Sequence, residues 1–155
     1  MIDSFGASEG IGLPVNGDIF SHIINGAELG ALTIRSSGSG GGKSAQAVAD
    51  ACRLAFPFYY DDYKREWVRV GNTEPVLFIM TEQKPEQIIQ MVLGYLTGIE
   101  RSRFRYGDFS KDELERIEVA REIIKHYKTL KLMRIPDPSI EQIKNIVREQ
   151  VILYG

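Results

Sequence analysis

Ala31-Leu32-Thr33-Ile34-Arg35-Ser36-Ser37-Gly38-Ser39-Gly40-Gly41-Gly42-Lys43-Ser44 is the stretch on which the reading of this 155-residue chain turns. Its first five residues are short, partly β-branched and bounded by Gly30 and Ser36-Ser37-Gly38, which predicts a buried strand. That strand would run into a glycine-rich loop. From Ser44 to about Leu54, Ala45, Ala47, Val48, Ala49, Ala51, Cys52 and Leu54 follow without Gly or Pro, which predicts a buried helix that Pro57 ends. Ser37 to Ser44 matches the phosphate-loop pattern G-x-x-x-x-G-K-[ST] everywhere except the first position, where Ser37 stands. In such a loop the glycines let backbone N–H groups curl around phosphate oxygens, and the helix N-terminus adds partial positive charge. Lys43 would pair with the β/γ-phosphates of ATP and Ser44 would ligate Mg²⁺. The candidate nucleotide-binding residues are therefore Ser37, Gly38, Ser39, Gly40, Gly41, Gly42, Lys43 and Ser44. A flexible Ser/Gly linker that happens to precede Lys-Ser is the competing reading, and the flanking strand and helix argue against it.

Outward from the loop, residues 1–30 carry Gly6, Gly10, Gly12, Gly17, Gly26, Gly30 and Pro14, a density of breakers that predicts lead-in loops around Phe20 to Ile24. Downstream, Phe56 to Tyr63 is aromatic and acidic. Trp67-Val68-Arg69-Val70 alternates around outward charges as a sheet-edge strand does, with a turn at Gly71-Asn72. Val76 to Met80 is continuously apolar, the pattern of a parallel strand covered on both faces, and Pro85 opens a helix that carries Ile88, Ile89, Val92, Tyr95 and Leu96 as far as Gly98. Ser110-Lys111-Asp112-Glu113 is a capping box ahead of the stripe Leu114, Ile117, Ala120, Ile124 and Tyr127. Leu132 to Ile135 reads as a further strand, Ser139 to Gln142 repeats the capping logic, and Val151 to Tyr154 is a last apolar run. Strand, helix, strand, helix, helix, strand, helix is the order of an α/β domain with a mainly parallel sheet between layers of helices.

Glu82 follows the Val76 to Met80 strand at its carboxyl end, the edge of an α/β sheet where ligands bind. A carboxylate there can polarise a water beside a γ-phosphate, which makes Glu82 the candidate catalytic residue; an acid that merely stabilises the start of the next helix is the alternative. Arg101, Arg103 and Arg105 interleave with Phe104 and Tyr106, suited to phosphate or base contacts or else to a solvated or subunit-facing surface. His22 and His126 lack the spacing of metal ligands, and Cys52 belongs to an apolar helix as a core residue.

Composition narrows the classes. With 19 basic and 21 acidic residues the formal charge is −2, so any nucleic-acid contact must be local rather than a property of the whole molecule. One cysteine excludes an internal disulfide framework and leaves the cytoplasm as the expected compartment. No apolar run approaches the roughly 20 residues of a membrane helix, so no membrane partner is expected.

Together these residues resemble the C-terminal motor domain of DnaB-type hexameric replicative DNA helicases, within the RecA-like phosphate-loop ATPases. The likeness covers most of the chain: Gly26 to Leu32 leading into the loop; Val76 to Thr81 with Glu82 and Pro85-Glu86-Gln87; Phe104-Arg105-Tyr106-Gly107; Asp112-Glu113; and the arginine-bearing helix from Glu141 to Glu149. The resemblance implies a single, partial RecA-like domain over 1–155 with a three-layer core. It places Mg-ATP on Lys43 and Ser44 and the catalytic base on Glu82. It further implies single-stranded DNA and identical subunits of a hexameric ring as partners.

In that family an apolar strand ending in a magnesium-holding Asp, the Walker B strand, follows the helix that here spans Ile140 to Gln150. This chain stops at Gly155, so the domain is expected to be incomplete at its C-terminal end and inactive alone. The run Phe56-Pro57-Phe58-Tyr59-Tyr60-Asp61-Asp62 contains Pro57 and substitutes poorly. Apolar surface on the unfinished sheet should promote self-association. The long passage from Phe56 to Asn72 points to a phage, mobile-element or otherwise divergent branch. A non-catalytic interaction module of RecA-like shape, and a recombinase or clock-type relative, are the competing functions.

Overall fold

Val76–Met80 forms a strand because nearly every side chain in it can be covered. In the computed structural model, which describes residues 12–71 and 73–154, it is β3 of a chain whose elements run α1 (Asp18–Ile23), α2 (Lys43–Ala55), β1 (Phe58–Asp61), β2 (Glu66–Arg69), β3, α3 (Pro85–Thr97), α4 (Arg101–Tyr106), α5 (Lys111–Tyr127), β4 (Leu130–Arg134) and α6 (Ile140–Tyr154). The expectations placed on Gly6, Gly10 and Asn72 lie outside the described residues. The architecture is mixed α/β. β3 and β4 pair in parallel, Val76 opposite Leu130 and Met80 opposite Arg134, while β1 and β2 form a separate antiparallel hairpin with Tyr60 opposite Trp67.

Alternation divides the parallel pair into two faces. Val76, Phe78, Leu130 and Leu132 pack against a core in which Cys52, Phe56, Ile88 and Leu96 are buried, supplied by α2, α3 and the chain between them. Ala120 brings α5 onto the same core. Leu77, Ile79 and Lys131 face the other way and line a groove of about 380 Å³ with Val147, Gln150 and Val151 of α6. Gln150 is buried there, and neither its amide oxygen nor its amide nitrogen has a hydrogen-bond partner among the described residues. α6 continues through Val151 to Tyr154, so the last apolar run is the end of this helix rather than a new element.

The helix boundaries follow the caps. Ser110 Oγ accepts from Glu113 N (3.2 Å), and Glu113 Oε2 accepts from Ser110 N (2.7 Å), closing the box that starts α5. Ser139 and Gln142 repeat it at α6, at 3.2 and 3.0 Å. α3 begins with Pro85 and ends at Gly98, whose φ of 70° is left-handed. Such a residue favours glycine.

One expected strand is absent. Ala31 to Arg35 takes no regular secondary structure, with Leu32 86% and Ile34 82% exposed. A strand is stable only when its N–H and C=O groups find a neighbour, and no strand pairs with this segment among the described residues. The edge strand expected at Trp67 to Val70 also sits differently: it joins not the parallel pair but the hairpin with Phe58–Asp61. Pro57 does no harm to that hairpin because it precedes β1, where its carbonyl accepts from Val70 N (2.8 Å).

Candidate functional site

The loop before α2 is shaped by its glycines. Gly40 and Gly42 have φ of 76° and 77°, and at Gly41 an added Cβ would lie 2.5 Å from Ser37 Oγ and 2.9 Å from Ser37 Cβ, so a side chain there would force Ser37 to shift. Gly41 N closes the turn on Gly38 O (3.1 Å), and Gln46 N opens the helix on Gly42 O (2.9 Å). α2 therefore starts on a residue without a side chain to cap it, and no acidic residue occupies its first turn. Its first N–H groups and its dipole are left for something outside the helix.

Lys43 is the first residue of α2. Its ammonium reaches back over the loop and donates to the carbonyls of Ser37 and, at 3.4 Å, Gly38. A cation at a helix N-terminus works against the dipole. Here the loop carbonyls hold it in place.

β3 brings the second half of the site. At its carboxyl end Thr81 and Glu82 are exposed, and they share a cleft of about 300 Å³ with Lys43, Ser44, Arg35 and Gln83. The structure thus brings together three residues that are separated by up to 39 positions in sequence: Lys43, Ser44 and Glu82. Ser37, Gly41 and Gly42 line an adjoining depression with Arg35 and Gln46. Of the remaining loop residues, Gly38 accepts from Lys43, Gly40 supplies a left-handed turn, and Ser39 lies exposed between them.

Arg35 was not singled out by motif. It borders both depressions, pairs with Asp50 of α2 (2.7 Å), and lies over the ring of Phe20 with 4.8 Å to the centroid. Asp50 also accepts from Asn16 N (3.0 Å) and from Gln46 Nε2 (3.2 Å), so one carboxylate ties the lead-in segment and the chain entering the loop to α2. Arg35 directly precedes the loop. That adjacency was the only signal in sequence.

The donor set fits a magnesium-bound nucleoside polyphosphate. Glycine backbone and the uncapped α2 terminus would hold phosphate oxygens, Lys43 would pair with their charge, and Ser44 would contribute a hydroxyl to the metal. Magnesium bound with the nucleotide would supply charge to the phosphoryl oxygens. Glu82 can accept a proton at its carboxylate or orient a water by hydrogen bonding.

Elsewhere the candidate residues have structural work. Arg103 pairs with Glu113 at 2.7 Å, whereas Arg101 and Arg105 are exposed. Asp61 accepts from the N–H groups of Tyr63 and Lys64, and Asp62 pairs with Arg116 (3.1 Å), so neither acid of the Phe56 to Asp62 run lines the cleft. Cys52 is fully buried, and burial pushes its thiol up from the ordinary range. Among the described residues no group of His, Cys, Asp or Glu could hold a metal by itself, and no helix is long and apolar enough to cross a membrane.

The chain is 30% identical over 152 residues to the SPbeta prophage-derived uncharacterized protein YorI of Bacillus subtilis (strain 168), covering 98% of this chain and 30% of that relative's length. No model of a known protein family matches the chain.

Proposed function

We propose that this chain is the ATP-binding portion of a DnaB-like replicative DNA helicase, a RecA-like motor. In the complete ring, ATP turnover by identical subunits would drive translocation on single-stranded DNA and unwinding of the duplex. The observation that carries the reading is the cleft that joins Lys43 and Ser44, at the start of α2, to Glu82 beyond β3. A loop lysine and hydroxyl on one wall and a carboxylate at the strand end on the other suit binding of Mg-ATP and activation of a water. The three-layer RecA-like core belongs to the same proposal; it is supported by helices on one face of the parallel pair and α6 beside the other. The relative is prophage-derived, which supports a phage branch. A cytoplasmic location goes with this activity.

Calorimetric titration of the chain with Mg-ADP and Mg-ATP, run beside Lys43→Ala, tests the proposal. Heat of binding that disappears in the variant is the expected result. Binding that persists undiminished in the variant would remove the phosphate loop from the argument.

A second reading, a non-catalytic interaction module, is favoured by a different observation. Leu32 and Ile34, together with Ile152 and Leu153 of α6, leave aliphatic surface open to solvent. On that reading the chain associates with itself or a partner protein and is indifferent to nucleotide.

A further inference from the structure

Arg35 enters the loop as a second cation beside Lys43. It stands two positions before Ser37, whose carbonyl accepts from the Lys43 ammonium, so its backbone starts within about 7 Å of that residue. Both cations border the cleft that holds Ser44 and Glu82, and both border the adjoining depression formed by Ser37, Gly41 and Gly42. Among the described residues no other side chain borders both.

The Arg35 guanidinium is located without being used up. Its Nη1 donates to Asp50 Oδ2 (2.7 Å), and its central carbon lies 4.8 Å from the centroid of Phe20. Nη2 and Nε make no hydrogen bond among the described residues, which leaves most of the donor fork unspent. The pair is partly open to solvent, with 31% of the Arg35 side chain exposed, and such a pair contributes little by itself. Asp50, for its part, does not depend on Arg35. Its Oδ1 accepts from Asn16 N (3.0 Å) and Gln46 Nε2 (3.2 Å), so the carboxylate keeps the lead-in segment on α2 when the guanidinium leaves.

Charge gives the second cation its use. Lys43 and Glu82 cancel across the cleft, and the Lys43 ammonium is turned onto the carbonyls of Ser37 and Gly38. A carboxylate beside a terminal phosphate repels it. Arg35 is the cation that outweighs Glu82, and a guanidinium can meet two phosphate oxygens at once where an ammonium acts as a point charge. Asp50 borders neither depression, so it competes for the fork without adding its own charge to the cleft wall.

We propose that Arg35 is a specificity residue of the candidate site: it meets the terminal phosphate of a nucleoside triphosphate and thereby distinguishes triphosphate from diphosphate, while Asp50 holds the guanidinium until that phosphate takes it. The assignment rests on nucleotide binding at the loop. A diphosphate met by loop N–H groups and Lys43 leaves Arg35 on Asp50. A third phosphate, at the Glu82 end, draws the guanidinium off.

Calorimetry with Mg-ADP and with the magnesium complex of β,γ-imido-ATP, which keeps its phosphates without turning over, tests this in wild type and three variants. Arg35→Gln should weaken the imido-ATP complex on the order of tenfold, the scale of one charge-assisted contact, and leave Mg-ADP within about twofold. Arg35→Lys should restore part of the loss, as charge without the fork. Asp50→Asn still offers an oxygen to Asn16 N but releases the guanidinium, and should tighten the imido-ATP complex about threefold. Were Arg35 only a brace for the loop, Asp50→Asn would weaken binding as Arg35→Gln does. Retained Mg-ADP binding shows each variant to be folded. Equal losses for both nucleotides in Arg35→Gln, no loss for either, or a weakened triphosphate complex in Asp50→Asn would each overturn the proposal and leave nucleotide binding by the loop standing. A wild type that binds neither nucleotide overturns both.

Discussion

The N-termini of α5 and α2 are opposite solutions to one problem. Each begins with N–H groups that the helix cannot satisfy. At α5 the chain satisfies them itself: Ser110 and Glu113 exchange hydrogen bonds, Asp112 adds charge of the right sign, and Arg103 pairs with the Glu113 carboxylate. The backbone N–H of Ser110, with Arg103 beside it, holds the Glu113 carboxyl below its ordinary value of 4.5. At α2 the cap position is Gly42, the first residue is a lysine and the first turn has no acid, although α3, α5 and α6 each carry one there. A closed terminus stabilises the fold, whereas an open one costs stability and keeps an anion-binding surface available.

Removing the cation should give the largest effect. Lys43→Ala is expected to weaken Mg-ADP by about 30- to 150-fold, since charge-assisted contacts contribute roughly 2–3 kcal/mol, with unchanged thermal unfolding; calorimetry and a melting curve check both halves. Adding a methyl at the loop comes next. Gly41→Ala places Cβ against Ser37 and should loosen the turn, lowering nucleotide affinity about tenfold, the scale of a contact worth ~1.4 kcal/mol, with the helix intact by circular dichroism.

At the closed terminus the expected signature is reversed. Ser110→Ala should cost about 1 kcal/mol of stability in urea and leave Mg-ADP affinity unchanged, which would separate the two termini by function. The smallest effect concerns acid. Because the Glu113 carboxyl is held low in the folded protein, its stabilising contribution is fully present above its ordinary value of 4.5 and is lost as pH falls through the lower folded value. Glu113→Gln should therefore be less stable than wild type at pH 7 and lose less on acidification, read from urea midpoints across the acid range.

Much of this organisation was legible before the structure. The boxes at Ser110 and Ser139, Pro85 at a helix start and the apolar run from Val76 to Met80 are local signals, and each element formed where its signal stood. Ala31 to Arg35 was overread because composition reports that a segment can be a strand, not that a neighbour exists to pair with it. Phe58–Asp61 became a strand through pairing with Glu66–Arg69, a nonlocal event that an aromatic and acidic composition does not announce. α4 was missed for a similar reason. Its six residues alternate arginine with aromatic or serine, carry no stripe, and are held by Arg103 to Glu113 and by Phe104 against Phe109. In the candidate site, Lys43, Ser44 and Glu82 were chosen from motif and strand position, and they meet in one cleft. Arg35 joined them through Asp50, a partner 15 positions away.

The burial of Cys52 makes the protein its own clock. As the one thiol in the chain, sealed within the core beneath α2 and disfavoured as thiolate, it should stay unmodified by a maleimide until that core opens. With reagent in excess, the labelling rate then measures how often α2 leaves its packing, and the same reading in the presence of Mg-ADP would report how firmly a ligand at the loop holds that helix shut.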